Sequence, residues 1–99
     1  MKKTRTLYLP LKGIYFDQIK AGTKHDENRL AKPYWEKRLV GRSYDCLVLT
    51  RGYPKGGGVE GETRLTRAYV GYTRKKIVHM HFGPEEVEVF AIDVRQPSP

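Results

Sequence analysis

Residues 22–29 are the stretch of this chain best suited to chemistry, because five of the eight side chains are charged or titratable and none is large and apolar. If the stretch runs as a strand, alternate side chains share a face, which groups His25, Glu27 and Arg29 and puts Lys24 on the opposite side. One face then carries a base, an acid and a guanidinium, groups that transfer protons and hold negative charge. A solvated edge strand without chemistry is the alternative interpretation.

Two predicted elements precede this stretch and set its direction. A β-rich run over residues 4–9 predicts a strand that ends at Pro10. Residues 12–21 predict a short amphipathic helix. Gly22 can adopt the left-handed conformation that closes a helix. The charged stretch is therefore expected to leave the helix in a defined direction, and Pro33 ends the element that follows.

Beyond the charged stretch, the chain predicts one more helix and four more strands. A proline at the start and a glycine at the end favour a helix over residues 33–41. Runs rich in β-forming residues predict strands over residues 44–51, 63–72, 75–81 and 87–94. The middle two of these are expected to form a basic hairpin. Residues 82–86 are predicted to form a turn, and residues 95–99 a frayed tail.

A family resemblance is carried by four residues that match every fixed position of the GxKxxExR signature: Gly22, Lys24, Glu27 and Arg29. With this motif directly after a strand and a helix near the amino terminus, the chain resembles the ASCH domain family. Residues 87–94 also look like the last strand of these proteins, so the resemblance covers nearly the whole chain. It implies an α+β fold in which all 99 residues form a single domain. That domain would be a small mixed β-barrel of about five to six strands, similar to PUA domains, with two short helices.

The activity that the resemblance implies is hydrolysis of an amide. Some ASCH proteins are proposed RNA-binding modules and some bacterial members resemble ribonucleases. Small single-domain members are N4-acetylcytidine amidohydrolases, to which this chain is similar in size and organisation. In that group the signature lysine, here Lys24, works with a threonine where this chain has Glu27, and with a glutamate farther along. The threonine is therefore absent, and Glu85 or Glu86 would have to supply the second acid.

We expect Lys24, Glu27 and Arg29 to be the catalytic residues of such an amidohydrolase. If it is partly desolvated, Glu27 takes a proton from water, and Lys24 polarises the acyl oxygen or protonates the leaving amine. Arg29 orients Glu27 or holds the carboxylate-like transition state. Because strand alternation separates Lys24 from Glu27, Lys24 must lie in the turn before the strand or at a bulge. Two alternatives stay open: a structural Glu27–Arg29 pair in an RNA-binding module without catalysis, and a ribonuclease that uses a histidine.

Five further residues are expected to contact a substrate. A lysine at the strand-to-helix junction can bind phosphate, and tyrosines can stack on a pyrimidine. An arginine and a tyrosine at the base of a glycine-rich loop, residues 52–61, add to this surface. The set is Lys12, Tyr8, Tyr15, Arg51 and Tyr53.

Composition narrows the partners and the location. Nineteen Lys and Arg against eleven Asp and Glu give a net charge of +8, which together with seven tyrosines favours RNA or a modified nucleoside as partner. The single cysteine, Cys46, excludes an internal disulfide and is expected to be buried. His79 and His81 share a face but lack a third ligand, so no metal or other cofactor is predicted. Without a signal-peptide pattern or an apolar run of ~20 residues, the protein is expected to be cytoplasmic.

Overall fold

The computed structural model describes residues 5–79 and 82–95 and shows an α+β fold. In this part of the chain six strands and two α-helices follow in the order β1 (Thr6–Leu11), α1 (Gly13–Lys20), β2 (Asp26–Leu30), α2 (Pro33–Leu39), β3 (Cys46–Arg51), β4 (Arg64–Ala68), β5 (Tyr72–His79) and β6 (Gly83–Asp93). A short 3₁₀ turn, Lys55–Gly57, lies between β3 and β4. The predicted α+β class and both predicted helices are confirmed. No helix of the described ranges is long and apolar enough to cross a membrane.

The six strands form two three-stranded sheets. In the first sheet, β3 lies between β1, to which it is parallel, and β4, to which it is antiparallel. In the second sheet, β6 lies between β2 and β5 and is antiparallel to both. The predicted hairpin of residues 63–72 with residues 75–81 is therefore wrong, because β4 and β5 belong to different sheets. Residues 69–71 carry the chain from one sheet to the other.

β1 continues through Pro10 to Leu11, two residues beyond its predicted end. Proline lacks the N–H that a central strand needs, but β1 is an edge strand with β3 as its partner. The carbonyl of Leu11 accepts a hydrogen bond of 2.7 Å from Gly52, the residue that follows β3. Because backbone groups alternate in direction along a strand, Pro10 directs its own away from β3. The proline therefore costs the sheet no hydrogen bond.

The hydrophobic core takes side chains from both sheets and both helices. Its buried members are Leu7, Leu9, Leu11, Phe16, Ile19, Leu39, Leu47, Leu49, Phe90, Ile92 and Val94. β3 buries four consecutive residues, which fits its central position in the first sheet. Cys46 is buried, as predicted, and Trp35 packs against the core from α2.

β6 begins at Gly83, inside the predicted turn over residues 82–86. Pro84 can be part of this strand because β2 pairs only with residues 89–93, which leaves β5 as the one neighbour of β6 near its start. The predicted turn is therefore wrong for its last four residues.

The predicted frayed tail is described only at Arg95. Its Nη2 lies 2.9 Å from Oδ2 of Asp93, so this residue has a defined partner. Residues 96–99 lie outside the described residues, as does His81.

Candidate active site

A cavity of about 440 Å³ lies where the end of β1 meets β2. Its walls come from the β1–α1 junction, the loop before β2, β2 itself and the start of α2. His79 at the end of β5 and Phe82 just before β6 complete the described wall. Aromatic rings and cationic side chains both contribute to this wall. The volume lies in the range of small-molecule sites, about 300–1,000 Å³.

Glu27 lies in a cationic corner of this cavity. It is the one charged side chain that is buried among residues 5–79 and 82–95, with 7% of its surface exposed. Its Oε2 lies 3.0 Å from Nη2 of Arg29, and its Oε1 lies 3.8 Å from Nζ of Lys24. All three side chains belong to residues of the cavity wall, so the structure brings the three predicted catalytic residues together.

Lys24 reaches Glu27 because it precedes β2 and does not follow the alternation of that strand. Gly22 ends the helical segment with a φ of +82°, and the backbone N–H of Lys24 donates to the carbonyl of Gln18 at 3.2 Å. The chain therefore reverses direction after α1, and the backbone of Lys24 lies beside that helix. There the Lys24 ammonium lies 5.3 Å from the centre of the Tyr15 ring. The structure therefore meets the condition that the lysine lies in the turn before the strand.

Burial raises the pKa of Glu27 above the ordinary value of 4.5, because a desolvated carboxylate loses its hydration. The guanidinium of Arg29 and the ammonium of Lys24 hold this pKa down, but burial is the larger effect. A carboxylate with a raised pKa is a stronger base than one in water. Glu27 is thus suited to take a proton from a water molecule.

Arg29 contacts one oxygen of the Glu27 carboxylate, Oε2, and Lys24 lies nearest to the other, Oε1. Besides its contact with Glu27, Nη2 of Arg29 donates to the carbonyl of Pro10 at 2.9 Å, so the guanidinium joins β2 to the outer edge of β1. The guanidinium carbon also lies 5.2 Å from the centre of the Trp35 ring, in a cation–π contact. This position suits the predicted role of orienting Glu27.

Lys12 and Tyr15, two of the five predicted substrate contacts, line the cavity. Lys12 is the residue directly before α1, and Tyr15 lies in the first turn of that helix. The strand-to-helix junction therefore places a cation and an aromatic ring on the same wall.

The structure places the other three predicted substrate contacts, Tyr8, Arg51 and Tyr53, outside the cavity. Tyr8 is 63% exposed, because it alternates with the buried leucines of β1 and lies on their opposite face. Arg51 ends β3, where its Nε lies 3.2 Å from the carboxylate of Asp17 in α1. Tyr53 is 90% exposed in the loop after β3. We therefore remove these three residues from the candidate site.

The end of β5 provides a further part of the wall through His79, which is not among the five predicted substrate contacts. The centre of the His79 ring lies 6.2 Å from that of Tyr15 and 6.1 Å from that of Phe82. The register of β5 shifts at an irregularity between Ile77 and His79. Such a bulge redirects side chains but leaves no clear mark in a sequence.

α2 supplies the remaining aromatic part of the wall through Tyr34 and Trp35. Their rings pack edge to face with 5.3 Å between the centres. Trp35 packs against the core and also lines the cavity, so this side chain connects the core to the site. The aromatic pair that follows Pro33 is the one signal in the sequence for this wall.

Known proteins were compared with the chain at the level of families, sequences and structures. No family model, curated protein or solved structure matches it.

Glu27 is the one acid among the described residues of the cavity wall. Glu85 and Glu86 are exposed residues of β6 and do not line the cavity, so neither supplies the second glutamate. In residues 5–79 and 82–95, no three His, Cys, Asp or Glu side chains lie close enough together to hold a metal ion. The chemistry of the described wall therefore depends on Glu27 and its two cations.

Proposed function

We propose that this protein is an amidohydrolase that removes the acyl group from N4-acylcytidine-type nucleosides. The observation that carries the proposal is the buried Glu27 carboxylate, which has a raised pKa and lies 3.8 Å from the Lys24 ammonium in the cavity wall. A base, a cation and a hollow of suitable volume are the parts that amide hydrolysis needs. The GxKxxExR motif shared with ASCH domains supports the same proposal.

Glu27 acts as the general base of the first step. Its carboxylate takes a proton from water while the water oxygen attacks the acyl carbon, and the C=O electron pair moves to the acyl oxygen. The Lys24 ammonium stabilises this oxyanion. The protonated Glu27 then gives its proton to N4 as the C–N bond breaks. Cytidine and a carboxylic acid are released.

We extend the proposal to the fold, as an ASCH-like barrel. The free edges of β1 and β2 are joined by the hydrogen bond from Arg29 to the carbonyl of Pro10. A side chain at this position takes the place of the backbone ladder that closes a regular barrel. The contact supports a small barrel that is left open at the substrate site.

The activity is tested by incubating the protein with N4-acetylcytidine and measuring the release of cytidine by chromatography. Lys24→Met is expected to lower kcat about 10²- to 10³-fold, because it removes the charge that stabilises the oxyanion. Lys20→Met, at an exposed position in α1, is the matched control and is expected to keep wild-type turnover. If the wild-type protein releases no cytidine, the proposal is overturned.

The acid limb of the pH profile is expected to report Glu27. Because burial raises its pKa, kcat falls as the pH drops through a midpoint above 4.5, where the carboxylate becomes protonated and cannot accept a proton. Arg29→Met moves this midpoint to higher pH, since the guanidinium holds the pKa of Glu27 down. Values of kcat between about pH 4 and about pH 9 test both shifts. A midpoint that Arg29→Met leaves in place contradicts the assignment.

Tyr15 is expected to stack on the pyrimidine ring. Tyr15→Ala raises the KM for the nucleoside about 5- to 150-fold, because stacking of a base on an aromatic ring contributes about 1–3 kcal/mol. Tyr53→Ala is the matched control, since Tyr53 is 90% exposed outside the cavity. Steady-state kinetics of the two variants decide the question. Equal KM values would exclude stacking on Tyr15.

RNA binding without catalysis is the alternative function, and the distribution of lysines favours it. Lys12 and Lys32 both line the cavity, and the chain carries a net charge of +8. Lysines beside an aromatic hollow can hold the phosphates of a strand whose base enters it. A labelled RNA that shifts in a gel, with binding that weakens steeply as salt rises, supports this function if N4-acetylcytidine stays intact.

A further inference from the structure

The outer edge of β2 presents backbone groups that no other strand pairs with. β2 ends its sheet and has β6 as its one neighbour. In an antiparallel pair, every second residue exchanges backbone hydrogen bonds with the partner strand. The N–H of Ala31 donates to the carbonyl of Glu88 at 2.9 Å, and the N–H of Val94 donates to the carbonyl of His25 at 3.0 Å. The odd-numbered residues of β2 therefore direct their backbone groups toward β6.

Asn28 consequently directs its N–H and C=O away from β6. It lies opposite Ala91, in a pair that exchanges no backbone hydrogen bond. Neither backbone group has a hydrogen-bond partner among residues 5–79 and 82–95. The side-chain Oδ1 of Asn28 is also buried without a partner in that part of the chain. This residue therefore has unused hydrogen-bonding capacity.

The cavity meets β2 at its edge and not at one face. Side chains of a strand alternate between two faces, so a cavity against one face contacts every second residue. Here four consecutive residues, 27–30, line the cavity. We conclude that the unpaired edge, with the N–H and C=O of Asn28, forms part of the wall.

We infer that the backbone of Asn28 reads the base of the substrate, its N–H donating to ring N3 and its C=O accepting from the N4–H. The inference rests on the proposed function and adds a specificity determinant to it. A strand edge offers a donor beside an acceptor, as in the recognition of added strands. A cytosine-type base offers the complementary pair, an acceptor at N3 and a donor at N4. The two edges can therefore form two hydrogen bonds.

This contact places the reacting nitrogen beside the catalytic groups. Glu27 and Arg29 are the chain neighbours of Asn28, and both line the cavity. An N4 atom held at the edge of residue 28 is next to the carboxylate that returns the proton. The same contact therefore selects the base and positions the bond that breaks.

The test compares a base that has N3 with one that lacks it. Cytidine and 3-deazacytidine serve as probes of binding by calorimetry, and their N4-acetyl derivatives as probes of turnover. Wild-type protein is expected to bind cytidine about tenfold more tightly, the effect of one uncharged hydrogen bond. Asn28→Pro removes an N–H that points out of the sheet, so the ladder stays intact. In this variant the preference for N3 is expected to disappear.

Two further variants separate the contribution of the residue 28 backbone to the N3 preference from that of its side chain. Asp26→Pro removes another outward N–H of β2, at a residue that does not line the cavity, and is expected to keep the preference. Asn28→Ala loses the side chain but retains the backbone N–H, so this variant is also expected to keep the preference for N3. If Asn28→Pro does not fold, the wild-type protein still decides, because equal binding of the two probes overturns the inference.

Failure of this inference and failure of the proposed function give different results. Cytidine release without any preference for N3 overturns the role of Asn28 and leaves the hydrolysis standing. A preference that Asn28→Pro removes, without any cytidine release, supports the role of Asn28 and overturns the hydrolysis. A preference that persists in Asn28→Pro overturns the inference in either case.

Discussion

Glu27→Gln is expected to lower the kcat for N4-acetylcytidine by about 10²- to 10⁴-fold, the usual contribution of a general base. Glutamine keeps the shape of the side chain and an oxygen that accepts from Arg29, but it does not take a proton from water. The effect is expected on kcat more than on KM, because the base acts in the transition state. Steady-state rates of cytidine release measure both constants.

Glu62→Gln is the matched control for this prediction. Glu62 is exposed in the segment before β4 and does not line the cavity, so its variant is expected to keep wild-type kcat. Circular dichroism establishes that both variants are folded. If Glu27→Gln turns over substrate within a few-fold of wild type, Glu27 is a structural partner of Arg29 and not a base.

Phe90→Ala is expected to lower the free energy of unfolding by about 3–5 kcal/mol. Phe90 is fully buried in β6, the central strand of the second sheet. The Phe90 ring packs edge-on against the Tyr72 ring, with 5.1 Å between their centres. The guanidinium carbon of Arg74 lies 4.8 Å from the centre of the Phe90 ring. Truncation leaves a void beside the position where β6 pairs with Arg29 of β2. The variant therefore loses core packing, and the strand that holds Arg29 loses part of the packing beneath it.

Unfolding in urea measures this loss. Val59→Ala is the control, since Val59 is 58% exposed in the loop before β4 and its truncation is expected to change stability by no more than about 0.5 kcal/mol. A Phe90→Ala protein whose unfolding midpoint matches that of the control would show that the core can close around the missing ring.

Individual elements of this fold can be predicted from local patterns, but the pairing of strands cannot. Gly22 and Pro33 mark the end and the start of the two helices at the correct places. The basic strands β4 and β5 follow each other closely, which favours a hairpin. They nevertheless pair with β3 and β6 respectively, because the core selects partners by burial across both sheets.

The candidate site divides in the same way. Lys24, Glu27 and Arg29 are predictable because they lie within six positions and one turn sets their geometry. Tyr8 was a reasonable choice by residue type, yet the direction of its side chain depends on which face of β1 meets the core. The position of His79 in the cavity wall depends on the irregularity in β5 between Ile77 and His79. Such long-range and irregular features carry no local pattern in the sequence.

Pro10 has one more consequence for this molecule. Two neighbouring strand edges that both carry free N–H groups tend to pair through a continuous ladder of backbone hydrogen bonds. Pro10 has no hydrogen to offer on its outward side, and its carbonyl is already taken by Arg29. Pro10 therefore cannot extend a backbone ladder between the outer edges of β1 and β2 at the position where it lines the cavity.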